Sequence, residues 1–508
     1  MVPILVHVSV WGRNFIMRKR TRAGSGAVIV GLLAALLTGT AHAEPSPGAP
    51  GLGDPIYKWA GNGGYTVDHY DIDLIYHPDT DGLTGQATIR AVTTQDLSQF
   101  NLDFALGVTS VQVGGEQATF ATHPDNPAEL VVTPKRPVAA HQPMDVVVKY
   151  AGTPSQVRLD TVQVWYHTAT GGIVTGQPRN CRAWYPCNDH PSDKATYTVS
   201  ATVPNGNVVV SNGILAGRAN PVPGWTKWRW RADEPMVSYL AFIALGKFEF
   251  ETGATAQGLP YYNAFDPALG QSLAAAKAAI RRTPEVTDFF ASKFGPYPFG
   301  STGGVATNVW PAAIEHQTRP VYGNQFWDDA DPTSVVAHEV AHQWFGDSVA
   351  MRDWSNMWLN EGFATYSEWL WAEHQGRATA ADLADAFYAK YSEKDPFWNL
   401  RLWPGTRLFD PPVYERGAMT LHALRTEVGD AVFFRTLQSY HAKYRDGHAT
   451  TEQFVQHAEQ VAGRKLDTLF KTWLVDPVKP PVGPNGKAVT AAAANLPGIH
   501  EATAPHSH

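Results

Sequence analysis

Cysteine is almost missing from this sequence: Cys181 and Cys187 are the only two in 508 residues. Two thiols cannot form a four-thiolate zinc or iron–sulfur site, and they cannot frame a disulfide scaffold. Positive charge is not in excess either. Forty Lys and Arg stand against 47 Asp and Glu, for a formal charge of −7. Nucleic-acid binders usually carry a basic patch or stripe, so no nucleic-acid partner is expected. Long hydrophobic runs are also lacking. The apolar stretch at residues 27–37 (AVIVGLLAALL) has 11 residues, too few to cross a bilayer. No internal repeat occurs, which argues against a solenoid. What is present is ample core material, with 44% hydrophobic and 11% aromatic residues, so the chain is not a disordered one. Its length suits two to four domains.

Residues 1–43 contain five bases and no acid. Arg18, Lys19, Arg20 and Arg22 form a positive segment ahead of the apolar stretch, and Ala41-His42-Ala43 is a small-residue cleavage site before Glu44. This reads as a secretory signal, with export to the periplasm or medium and no membrane anchor after its removal. No Arg-Arg pair occurs in it, which favours the general route over the twin-arginine one. Met17 is a plausible true start, so residues 1–16 can be an untranslated artefact. Removing residues 1–43 takes away five bases and no acid, moving the formal charge from −7 to −12.

After a Pro/Gly tether at residues 44–55, the pattern becomes period two. Tyr70, Ile72, Leu74 and Tyr76 share one face, and Asp71 and Asp73 the other. Similar short strands recur, which predicts an antiparallel β domain over residues 56–253. Residues 272–294 have helical spacing, stopped by Gly295-Pro296. Asp331 with Pro332 predicts a helix start, with the helix running to Gly346. The expected organisation is α+β: a β domain, a mostly helical domain over residues 254–476, and a loose tail over 477–508 whose His500, His506 and His508 carry no expected role.

His338-Glu339-Val340-Ala341-His342 is an HExxH segment on the predicted helix. Spacing i, i+4 puts both imidazoles on one face, within reach of one zinc ion, and Glu339 can hold an attacking water. Hydrolytic zinc takes three protein ligands and keeps one open position. Glu361 lies 19 residues beyond His342 at the start of a second predicted helix and supplies the third ligand. A His₂Glu set favours one Zn²⁺ per chain.

The stretch HEVAHQWFGDSVAMRDWSNMWLNEGFATYSE resembles the aminopeptidase N family of zinc metallopeptidases, which includes alanyl and leucyl aminopeptidases and the leukotriene hydrolase. His338, Glu339, His342 and Glu361 match the family pattern one for one. Trp184-Tyr185-Pro186-Cys187-Asn188-Asp189, Pro235-Met236-Val237-Ser238-Tyr239-Leu240 and Phe294-Gly295-Pro296-Tyr297-Pro298-Phe299 are similar to other family segments. The resemblance covers roughly residues 60–475. It implies a thermolysin-like zinc domain and hydrolysis of N-terminal residues from peptides, with Glu339 as general base. The chain ends 94 residues after Tyr414, so the large helical C-terminal domain of the family is not expected.

The resemblance also implies Tyr414 as the phenol beside the oxyanion, although Arg416 stands where the family has Lys. Ala312-Ala313-Ile314-Glu315-His316 keeps only the Glu of the family's glycine-x-methionine-glutamate-asparagine segment. Glu315 is the implied ligand for the substrate's α-ammonium, and Gln177 the implied helper. The altered segment leaves an endopeptidase or another small-substrate hydrolase as the alternative, and a catalytically silent binding protein behind that. Cys187 occupies a family cysteine position, and the Cys181/Cys187 pair can be a disulfide or two buried thiols. Side-chain preference and oligomeric state are not legible.

Overall fold

A computed structural model describes residues 44–159, 163–310, 312–489 and 493; the leader and the tail histidines lie outside the described residues. The N-terminal part is built on an eight-stranded sheet. Its strands run, edge to edge, Ile214–Ala219, Trp225–Val237, Lys194–Pro204, Tyr65–His77, Gly82–Thr93, Pro143–Gly152, Gly107–Val113 and Glu116–Gln117. Tyr70, Ile72, Leu74 and Tyr76 are buried while Asp73 and Ile75 are exposed, as period-two patterning requires. Tyr65–His77 pairs with Lys194–Pro204 in parallel. That junction departs from an all-antiparallel expectation, because the long excursion between residues 93 and 194 returns the chain in the same direction. Two four-stranded sheets complete this part.

Residues 44–55, expected as a tether, are docked instead. Ser46–Pro47 pairs with Leu97 and Gln99. The Asp54 carboxylate accepts from the backbone of Ile56, Tyr57 and Trp354, the last some 300 residues away in sequence. Pro and Gly there shape the backbone without preventing its amides from finding partners.

The second part begins slightly earlier than the change of texture suggests. Glu249–Ala254 pairs with Pro260–Phe265 and so belongs to a five-stranded sheet with Thr302–Ala306, Val321–Tyr322 and Ala313–Ile314. Residues 272–294 form two helices, Leu273–Ile280 and Thr283–Phe294, rather than one. The HExxH helix spans Thr333–His342, and its first turn donates the Thr333 amide to Asp331. It ends at His342 rather than Gly346, since Gly346 has φ +137° and the chain turns away. The helix Trp358–His374 lies against it, and Gly417–Val428 lies against Trp358–His374. Among the described residues no helix is long and apolar enough to cross a membrane.

The tail is packed in its described part. The Tyr388 hydroxyl donates to Pro480 O, Lys479 Nζ donates to Tyr391 O, and Asn485 meets His422 at 2.7 Å. Cys181 and Cys187 form a disulfide.

Candidate metal and active site

The helix Thr333–His342 places His338 and His342 one turn apart, with ring centroids 4.9 Å apart. A second interaction aims each ring. His338 Nδ1 lies 2.6 Å from Glu368 Oε1, and Ser334 donates to the other Glu368 oxygen. His342 Nδ1 lies 3.1 Å from the Phe345 carbonyl. A carbonyl only accepts, so Nδ1 of His342 carries the proton and its Nε2 keeps a lone pair. Both Nε2 atoms face Glu361 Oε2, at 3.4 and 3.5 Å. The three ligand atoms lie within 4.8 Å of one another, and all three residues are buried. Two imidazole nitrogens and one carboxylate oxygen converging with their outer atoms already engaged is the donor set of a catalytic zinc site. Burial disfavours an imidazolium at His338, yet Glu361 and Glu368 outweigh it and hold its pKa well above the usual value. The same negative field suits a dication. The residues present therefore fit zinc.

Glu368 carries no role in the sequence reading. Its signal was available: it sits seven residues after Glu361, two turns on along the same face of one helix.

Glu315 and Glu339 approach the same place. Their carboxylates and His342 also lie within 4.8 Å of one another. Glu315 Oε1 accepts from the Tyr239 hydroxyl at 2.7 Å and from Gln177 Nε2 at 3.3 Å. The Gln343 amide, one residue past the HExxH segment, donates to the Glu315 backbone carbonyl at 3.0 Å. His316 replaces the family Asn without disturbing this. Its Nδ1 meets Leu240 O, its Nε2 meets Thr175 Oγ1, and its ring stacks on Phe242. Burial lowers its pKa to about 3, so it is a neutral packing and hydrogen-bonding residue.

Tyr414 lies in a widened turn, Pro412–Arg416, leading into the helix Gly417–Val428. Its ring stands 6.3 Å from that of His338. Burial, reinforced by Glu361, Glu315 and Glu339, pushes the phenol well above its usual pKa, so it remains a donor. The approach depends on two glycines. A Cβ on Gly362 would lie 2.9 Å from Gly417 Cα, and one on Gly417 would lie 2.8 Å from Gly362 Cα. Only bare backbones let the Glu361 and Tyr414 helices meet this closely. Arg416 is engaged with backbone carbonyls. It donates to the carbonyls of Trp398, Leu400, Thr472 and Asp476, which binds this helix start to the segments around residues 398–400 and 472–476.

Lys194 connects the two parts of the fold. From the long N-terminal sheet its Nζ donates to Asp347 O, Ser348 O and Gly447 O at 2.7, 2.9 and 3.2 Å. Asp347 N donates to His342 O, so this cluster abuts the end of the metal helix.

Known proteins are similar to this chain. The chain matches the model for the peptidase M1 N-terminal domain over residues 66–240 and that for the peptidase family M1 domain over residues 324–473. Glutamyl aminopeptidase of Bitis rhinoceros is 26% identical over 329 residues, covering 58% of this chain and 33% of the relative. Aminopeptidase N of Haemonchus contortus is 28% identical over 333 residues, covering 59% and 34%. This chain thus spans about a third of the length of the curated relatives it matches. An M1 zinc metallopeptidase from Deinococcus radiodurans superposes with a TM-score of 0.76 at 29% identity, covering 85% of this chain and 99% of that one. A mutant of that enzyme bound to a Tyr-Ser-Ala substrate gives 0.77, at 29% identity and 86% and 100% coverage. With both domain models matched in order and the His338, His342 and Glu361 donors converging, the chain belongs to peptidase family M1, the aminopeptidase N family of zinc metallopeptidases.

Proposed function

We propose that this chain is a zinc-dependent aminopeptidase that removes N-terminal residues from peptides. One observation carries the reading: the Glu315 carboxylate lies within 4.8 Å of ligand atoms of both Glu339 and His342. A fixed anion that close to the hydrolytic group measures off about one residue, since consecutive Cα atoms are about 3.8 Å apart. An ammonium held there leaves the first peptide bond at the reacting position.

His338, His342 and Glu361 would hold zinc, which would supply Lewis acidity toward a carbonyl and a water. Glu339 takes that water's proton and passes it to the leaving amine. Tyr414 donates to the oxyanion as the scissile carbonyl becomes tetrahedral. Glu315, with Gln177 beside it, binds the α-ammonium and sets the register. Glu368 and the Phe345 carbonyl hold the two imidazoles in orientation. The buried Glu315 charge would lose its partner against a blocked N-terminus, which penalises such substrates.

The test compares an aminoacyl-anilide with its N-acetyl form, with chelation and zinc add-back as controls. The free amine is expected to be cleaved at least 100-fold faster in kcat/KM, in line with about 3 kcal/mol for an unpaired buried charge. Glu315→Ala should remove most of that preference. Equal cleavage of both substrates by the wild type would overturn the exopeptidase reading.

Export is part of the proposal. It is supported by the leader pattern of residues 17–43 and by the Cys181–Cys187 disulfide, a bond favoured outside the cytosol. Protein recovered from the medium or periplasm should begin at Glu44. An uncleaved chain retained in the cytoplasm would contradict it.

A further inference from the structure

Glu315 is an unusual anchor. It is fully buried, with Glu339 within 4.8 Å and Asp347 and Glu361 among the buried acids around the site. An anchor for an ammonium has to present one oxygen in a fixed direction.

Its two oxygens are treated differently. Oε1 receives two donors, the Tyr239 hydroxyl at 2.7 Å and Gln177 Nε2 at 3.3 Å. Oε2 is buried and has no hydrogen-bond partner among the described residues. The tyrosine has one proton to give, and its direction is set from behind. Asn360 Nδ2 donates to the Tyr239 oxygen at 3.4 Å. A phenol oxygen that accepts from an amide must point its own proton elsewhere, and here that is Glu315 Oε1. Burial, with Glu315 next, raises the Tyr239 pKa far above its ordinary value, so the phenol keeps that proton.

Tyr239 is itself fixed. It sits in the short turn Ser238–Leu240, its carbonyl accepts from Asn180 Nδ2 at 3.0 Å, and its ring packs on Trp354 at 5.5 Å. The neighbouring Leu240 carbonyl accepts from His316 Nδ1 and Asn212 Nδ2, and the same Asn212 amide bonds to Gln317 O. The turn and the Glu315 segment are joined at several adjacent points. Asn360 precedes the metal ligand Glu361 in the chain.

From this we propose that Tyr239, oriented by Asn360, is the positioning residue of the α-ammonium subsite. It engages Oε1 of Glu315 and so leaves Oε2 open to the substrate's amine. The inference rests on the amine-capture role of Glu315. It adds a directed chain, Asn360 to Tyr239 to Glu315, that links the metal-bearing helix to substrate register. Residues from the β domain, Gln177 and Tyr239, thereby supply the donors that make a catalytic-domain carboxylate usable.

The experiment uses the full zinc-loaded enzyme and three variants, Tyr239→Phe, Asn360→Asp and Glu315→Gln. Readouts are KM and kcat on an aminoacyl-anilide, calorimetric Kd for free L-arginine, and zinc affinity by chelator competition. Loss of one hydrogen bond to a charged group corresponds to roughly 10- to 100-fold. Tyr239→Phe is expected to raise KM and the L-arginine Kd by that factor, with kcat changed less than about threefold and zinc affinity unchanged. Asn360→Asp turns the donor behind the phenol into an acceptor that competes for its proton. It is expected to weaken L-arginine at least as much. Wild-type KM and Kd in Tyr239→Phe, with Glu315→Gln impaired, would overturn the proposal while leaving amine capture standing. If Glu315→Gln itself binds L-arginine normally, amine capture fails and the proposal falls with it. Equal losses of zinc and L-arginine affinity in Tyr239→Phe would mark a merely structural role and also overturn it.

Discussion

Glu339→Gln is expected to fold, to retain zinc, and to lose roughly 10²–10⁴-fold in kcat/KM. The amide matches the carboxylate in shape, and Glu339 is not one of the three converging ligands, so neither packing nor the donor set changes. What disappears is a proton acceptor at the one position from which both the water and the leaving amine can be served. Glu361 faces both imidazoles, Glu368 is bonded to His338 and Ser334, and Glu315 is engaged by Tyr239 and Gln177. The check is steady-state kinetics beside metal analysis of the same preparation. Activity within a few-fold of wild type, with full zinc, would exclude Glu339 as the base.

Tyr414→Phe should lower kcat by roughly 10²–10³ while KM stays within a few-fold. The asymmetry follows from when the bond forms. A neutral carbonyl draws weakly on a phenol, whereas a tetrahedral oxyanion draws strongly, so the loss falls on the transition state. The environment protects the donor. Burial and the charges of Glu361, Glu315 and Glu339 raise its pKa, and the hydroxyl stays protonated through the alkaline range in which free tyrosine would ionise. The wild type should therefore show no alkaline loss of rate from this residue near pH 10. An unchanged kcat in the phenylalanine variant would remove Tyr414 from this role.

The legible part of the site is its local part. His338 and His342 share a helix face through a spacing visible in the letters, and Glu361 with Glu368 repeats that logic two turns apart on the next helix. The period-two burial of Tyr65–His77 was likewise written in the alternation. What could not be read arises where distant segments meet. Nothing local to Gly362 or Gly417 says that their backbones touch. Tyr239 stood within a familiar segment without a visible partner, because its partner is 76 residues away. His316 and Arg416 look like losses against the family pattern, yet each fills a buried hydrogen-bonding position specific to this packing. The docking of residues 44–55 escaped for the same reason: it depends on Ser46 pairing with Leu97, far along the chain, which composition does not encode.

Lys194 has a consequence for dissecting the protein. A fragment beginning near residue 254 would contain every metal donor, Glu339, Glu315 and Tyr414, and would look sufficient on paper. It would also strand three carbonyls now satisfied by one ammonium, and strip Glu315 of both its donors. The boundary between the two sequence domains is thus not a place to cut. A minimal enzyme engineered from this chain has to retain the β domain, or rebuild its lysine, tyrosine and glutamine in another scaffold.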